Sequence, residues 1–182
     1  MTNLTASRIV GGNSAYKRSE SDFYPTPSDV TVALLDFLRL PTGTRIWEPA
    51  CGENHMVSVM RLRAYDVLAT DIQTGTDFLT APLCPCDWII TNPPFSLADK
   101  FIERCVEHGK PFAMLLKSQY WHTKKRLPLF RKYPPTYICP LTWRPDFTFK
   151  TRGKGSPLMD VMWVIWTQGE TRYIPLERPT EG

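Results

Sequence analysis

Apolar strand-like runs alternate with helical patterns along this chain, and polar motifs fall at the carboxyl ends of those runs. Together these predict an α/β domain on an open, mostly parallel sheet with helices on both faces. A third observation sets the spacing. Glu48 and Asp71, each ending an apolar run, stand 23 residues apart, which accommodates a crossover helix and the return strand of a parallel unit. In such sheets a ligand binds beyond the carboxyl ends of the strands, where strand order reverses.

A chain of 182 residues has room for one ordinary domain. Residues 1–21 are polar, lack periodicity and include Gly11-Gly12-Asn13, so a flexible arm is expected there, a single domain over 22–170 and a tail over 171–182. Thr26 is the expected helix cap, with Pro27 in the first helical position and Asp29 closing a capping box. Val30, Ala33, Leu34, Phe37 and Leu38 then recur at helical spacing until Pro41-Thr42-Gly43. Arg45-Ile46-Trp47 forms a short strand that runs into the turn 48–54, and a weakly periodic helix is expected up to Leu62. Further strands are predicted at 65–70, 88–91, 112–116, 137–141 and 162–166. Between the second and third of these, Ser96 with Asp99 reads as a second helix cap, followed by an apolar stripe of Phe101, Ile102, Cys105 and Val106 that Gly109 ends. The stretches 119–135 and 143–157 read as loops.

The five cysteines are scattered and odd in number, and the start of the chain lacks a basic stretch followed by an apolar one. A reduced, cytoplasmic setting is therefore expected. Cys84-Pro85-Cys86 is too closely spaced for the usual zinc hairpin, and no apolar run is long enough to span a membrane, so neither a metal nor a membrane is expected. Net charge is +4 and unevenly spread. Residues 110–155 hold eleven Lys or Arg against one acid, a local excess of +10, whereas 1–109 carry nine bases and thirteen acids. Such a patch can contact phosphates and steer a polyanion.

The turn Glu48-Pro49-Ala50-Cys51-Gly52-Glu53-Asn54 has a single glycine, where a pyrophosphate cradle wants several. A dinucleotide is disfavoured relative to a ligand whose nucleoside and amino-acid ends spread along the sheet edge. Asp71 is placed to accept from ribose hydroxyls. Asn92-Pro93-Pro94-Phe95 follows the strand 88–91. Its prolines rigidify the loop and drive Asn92 from helical geometry, so its side-chain oxygen and a nearby backbone carbonyl can form a fixed acceptor pair. An amine on an aromatic ring has a delocalised lone pair and is a weak nucleophile. Two acceptors on its hydrogens favour the form in which that pair faces an electrophile. Phe95 offers a face for a base to stack on.

These motifs resemble those of the adenine-specific DNA amino-methyltransferases, especially the small type of phages and prophages, over roughly residues 22–167. The resemblance implies a single class I S-adenosylmethionine-dependent methyltransferase domain, Rossmann-like, with a mostly parallel seven-stranded sheet and an antiparallel final strand. It implies S-adenosyl-L-methionine as cofactor, held by Phe23, Tyr24, Thr26 and Pro27; by Glu48, Pro49, Ala50, Cys51 and Gly52; by Asp71 and Ile72; by Asp77 and Phe78; and by Asn92. Asn92, Pro93 and Phe95 match the catalytic motif, and the implied reaction is direct transfer to a flipped-out adenine. Cys51 is then a packing residue. Asn54 replaces the second glycine of many relatives, and asparagine tolerates left-handed dihedrals.

There is no room for the inserted recognition domain of sequence-specific members, so contacts to double-stranded DNA are expected from the basic loops. Lys117, Lys124, Lys125, Arg126, Arg131 and Lys132 are the phosphate candidates. Arg144, Arg152 and Lys154 are candidates for phosphate or a base edge, and Tyr120 and Trp121 for the base pocket. A monomer or homodimer is expected. RNA adenine, a cytosine amine or a protein amide would use the same catalytic residues, and a non-catalytic nucleic-acid-binding protein could retain the fold.

Overall fold

The computed structural model describes residues 25–147 and 159–180. Strands run over Arg45–Glu48 (β1), Asp66–Ala69 (β2), Trp88–Thr91 (β3), Phe112–Lys117 (β4), Tyr137–Pro140 (β5), Val161–Trp166 (β6) and Arg172–Tyr173 (β7). Helices run over Ser28–Leu38 (α1), His55–Leu62 (α2), Ala98–His108 (α3) and Leu127–Lys132 (α4). The seven strands make one sheet in the order β2-β1-β3-β4-β6-β5-β7. All neighbours are parallel except β6, which lies antiparallel between β4 and β5. The antiparallel strand is thus penultimate along the chain. The last strand, β7, has two residues, too few for any periodic signal, and it pairs with β5 in the run expected to be a tail.

Strand side chains alternate between two cores, which is why the strands read as continuous apolar runs. Ile46, Ile90, Ala113, Leu115, Trp163 and Ile165 meet α1 and α2 on one face. Trp47, Ile89, Phe112, Met114, Val164 and Trp166 meet α3 on the other, with Leu129 and Phe130 of α4 packed at its margin. The chain passes from β1 outward to β2, then returns across β1 to β3. Strand order therefore reverses between β1 and β3, and the crevice beyond their carboxyl ends is where a ligand is accommodated.

Glycine and asparagine act as the backbone demands. Asn54 caps α2 at φ 64° and Gly109 ends α3 at φ 65°, both left-handed. The two expected side-chain caps do not form. Pro27 stands at the N-cap of α1 without a side-chain bond, and Leu97 at that of α3, after a 3₁₀ turn over Phe95–Leu97. Three residues of the expected capping boxes bind distant partners instead. Thr26 accepts from Asn92, Asp29 accepts from Trp143 and Arg178 at 3.0 Å each, and Asp99 binds Tyr120 and Arg126. No helix among the described residues is long and apolar enough to cross a membrane, and no group of three His, Cys, Asp or Glu converges there.

Candidate functional site

An open cleft lies beyond the ends of β1, β2 and β3. It gathers residues from four separate stretches of sequence: Pro25 and Thr26; Glu48, Pro49, Ala50 and Cys51; Asp71, Ile72, Asp77 and Phe78; and Asn92, Pro93 and Pro94.

Its floor is tied down by carboxylates. Glu48 is buried and accepts from the Ala50 N–H at 3.0 Å. Burial lifts its pKa to about 8, the Thr91 side chain and the Ala50 N–H pull the other way, and nearby Asp71 adds to the rise. Thr91 Oγ1, at the end of β3, is buried and makes no hydrogen bond among the described residues. Asp71 accepts from the Gly52 N–H at 2.9 Å through Oδ2 and from the Gln73 N–H at 2.8 Å through Oδ1. Gly52, at φ 48°, turns its N–H toward that acid. A carboxylate has about four lone-pair positions, so each Asp71 oxygen keeps capacity beyond its backbone partner. The Cys51 thiol is raised above its ordinary range by burial first, then by Asp71 and Glu48, so it stays protonated near neutrality.

The walls differ in chemistry. Ile72 presents an apolar side chain that is 69% exposed, while Asp77 accepts from the Leu79 N–H at 2.9 Å and turns the chain back toward the cleft. Phe78 lines the cleft from beneath with its ring in the core, edge-on to Trp47 at 5.1 Å and tilted against Phe101 at 4.9 Å. Among the described residues, the lining includes Glu48, Glu53, Asp71 and Asp77 and no Lys or Arg.

Asn92 leaves the end of β3, and its Nδ2 donates to Thr26 Oγ1 at 2.9 Å. Phe95 lies beyond the cleft lining, with the Lys117 ammonium 4.2 Å from its ring centroid. Lys117 ends β4, the strand beside β3, which explains how it reaches the loop that carries Asn92.

Several expected nucleic-acid residues are engaged within the fold. Tyr120 is not open: it is 5% exposed, its hydroxyl donates to Asp99, and burial raises its pKa. Arg126 donates to the same carboxylate at 3.0 Å and lies 4.0 Å over the Tyr120 ring. Trp121 is half-buried, donating to Met162 Sδ at 2.9 Å and packing on Phe130 at 4.1 Å. Arg144 pairs with Asp160 at 2.8 Å, and Lys132 lies 4.9 Å over the Tyr133 ring. Lys124, Lys125, Arg131, Lys132 and Arg144 remain exposed. Phe23, Tyr24, Arg152 and Lys154 lie outside the described residues.

Pro27 is buried beside the cleft without lining it, and Gly52 acts through its bond to Asp71. Glu53, His55, Met56, Gln73, Thr76, Leu97 and Phe101 also line the cleft, although the sequence pattern assigns none of them to the site; Glu53 stands only as part of the turn and Phe101 as part of the α3 stripe. Each lies within a few residues of a quoted motif, so the only available signal was that proximity.

No protein-family model and no curated protein matches this sequence. Solved structures do match in fold. A type I restriction-modification methyltransferase subunit from Streptococcus thermophilus shares 11% identity and a TM-score of 0.59, covering 84% of this chain and 47% of that one. A modification subunit assigned to a type I restriction enzyme of Vibrio vulnificus YJ016 gives 13% identity and 0.61, with coverage of 86% and 48%. A Listeria monocytogenes protein described as a class I S-adenosylmethionine-dependent methyltransferase gives 14% and 0.53, with coverage of 87% and 68%. The chain has the class I methyltransferase fold, and it spans about half the length of the first two.

Proposed function

We propose that this chain methylates the exocyclic amine of adenine in DNA with S-adenosyl-L-methionine as donor. The observation that carries the proposal is the placement of Asn92-Pro93-Pro94 at the strand-order reversal, on the wall of a cleft whose other walls are the 48–51 loop and Asp71.

The lining fits such a cofactor. An acid-rich cleft without Lys or Arg among its described lining residues repels phosphates and suits a ligand carrying sulfonium and ammonium charges. The Gly52 N–H, which a phosphate would need, is already bound to Asp71. Asp71 would take the ribose hydroxyls, Ile72 would flank the adenine ring, Asp77 would accept from its amine, and the 48–51 loop would border the methionine portion. When bound, the cofactor supplies an electrophilic methyl group.

The rest of the work belongs to the protein. Asn92 Oδ1 and the Pro93 carbonyl would accept the two hydrogens of the target amine, which restores its lone pair and aims it. Both acceptors sit on a loop that two prolines hold rigid, so little reorganisation accompanies the reaction. Phe95 would stack on the extruded base. Exposed Lys124, Lys125 and Arg131 would contact phosphate. DNA is favoured by the resemblance of the motifs, by the basic segment and by the restriction-modification subunits among the structural neighbours.

The test has two parts. Titration calorimetry with S-adenosylhomocysteine should give one site per chain, weakened by Asp71→Ala. Tritiated S-adenosylmethionine offered with DNA, RNA and a protein mixture should label DNA. Label confined to RNA or protein would overturn the substrate, and absence of both binding and transfer would overturn the reading.

A further inference from the structure

We infer that Thr26 is a positioning residue that fixes the plane of the Asn92 amide, with the amide nitrogen turned toward the Thr26 hydroxyl. The inference rests on the methyl-transfer reading of Asn92 and deepens it. Thr26 was expected to cap a helix and to border the cofactor. The cap does not form, and its hydroxyl instead meets the Asn92 amide nitrogen, 66 residues away in sequence, at 2.9 Å.

An asparagine amide rotates over a broad, two-fold torsion, so nothing intrinsic decides whether oxygen or nitrogen faces a ligand. For an incoming amine the difference is decisive. The oxygen accepts its hydrogens, whereas the NH₂ end would bring donor against donor. With Nδ2 anchored on Thr26 Oγ1, Oδ1 occupies the other branch of the amide plane.

The anchor is itself rigid. Thr26 is 4% exposed and stands between Pro25 and Pro27, so it is held extended by the proline that follows, as Asn92 is by Pro93. Its branched Cβ restricts χ1 in a way that serine does not. Two proline-braced residues from distant parts of the chain thus meet hydroxyl to amide at the edge of one cleft. The approach to α1 becomes part of the catalytic loop's geometry.

The experiment compares the full chain as wild type, Thr26→Val and Thr26→Ser. Valine keeps the shape and removes the hydroxyl. Kinetics with DNA should show kcat lowered by about tenfold or more in Thr26→Val, a small misplacement being worth up to about a hundredfold. KM for S-adenosylmethionine and the dissociation constant of S-adenosylhomocysteine should stay within about twofold, since the hydroxyl is assigned to the amide and not to the cofactor. Thr26→Ser should recover most of the loss. A loss that appears in cofactor affinity with kcat intact would overturn the inference, as would a serine variant as impaired as the valine one.

A readout without turnover separates this from failure of the parent reading. The Asn92 side-chain amide resonances, assigned by their absence in Asn92→Ala, should show a hydrogen-bonded, slowly exchanging proton in wild type and lose it in Thr26→Val. Unchanged resonances would overturn the positioning role. Wild-type protein that transfers no methyl group, yet shows this shift, would overturn only the enzymatic reading.

Discussion

Asn92 and Glu48 stand at the ends of adjacent strands and differ in what holds them. Asn92 is neutral, and its amide nitrogen donates to Thr26. Glu48 is a carboxyl in the core whose burial raises its pKa from 4.5 to about 8. Between those values the unfolded chain has released the Glu48 proton while the folded one retains it. The folded state therefore binds more protons there, and its stability falls as pH rises through that window. Below pH 4.5 the contribution is flat, and above about 8 the full penalty is present. Glu48→Gln removes the titration while keeping an oxygen for the Ala50 N–H. Thermal melts from pH 5 to pH 8 should show the variant gaining stability relative to wild type as pH rises. A constant difference across that range would mean Glu48 is ionised in the fold throughout.

At the scale of elements, the loop after β4 is held to α3 by Asp99, which receives both the Tyr120 hydroxyl and the Arg126 guanidinium. Removing Asp99 strands a buried phenol, so Asp99→Ala should destabilise by about 1–3 kcal/mol, the penalty for an unsatisfied buried polar group. Tyr120→Phe removes donor without stranding one and should cost about 1 kcal/mol. Urea denaturation midpoints order the two, and a reversed order would place the loop's anchor elsewhere. The same elements mark how far the sequence is legible. Strands β3, β4 and β6 follow from unbroken apolar runs because both their faces are buried, and Asn54 and Gly109 announce their left-handed turns. Thr26, Asp29 and Asp99 misled because a cap is a local pattern, whereas their actual partners lie 21 to 149 residues away. Tyr120 read as open because nothing local reports that Asp99 will meet its hydroxyl inside the fold. The cleft residues were legible for the opposite reason. The motifs at 48–51, 71 and 92–94 each follow a strand, and a doubly wound sheet brings those strand ends together.

For the whole molecule, charge is divided between an acid-rich cleft and a basic stretch after β4, which under the proposed function would serve cofactor and DNA respectively. Lys124 and Lys125 are exposed, so replacing both with Gln should leave the melting temperature unchanged while weakening DNA binding uniformly across sequences. The slope of log affinity against log salt should become shallower by about 2, near 0.9 for each phosphate that is no longer neutralised. An unchanged slope would move the DNA to another face.

The central claim is that Asn92, held at the reversal of strand order, delivers an aromatic amine to a methyl donor in the adjoining cleft. It is tested most directly by mass spectrometry of nucleosides from DNA incubated with the full chain and ¹³C-methyl-labelled S-adenosylmethionine. The expected product is labelled N6-methyldeoxyadenosine from wild type, reduced at least a hundredfold with Asn92→Ala, the scale on which loss of one preorganised polar group acts. Label on a ring carbon or a hydroxyl, or equal labelling by the two proteins, would contradict it.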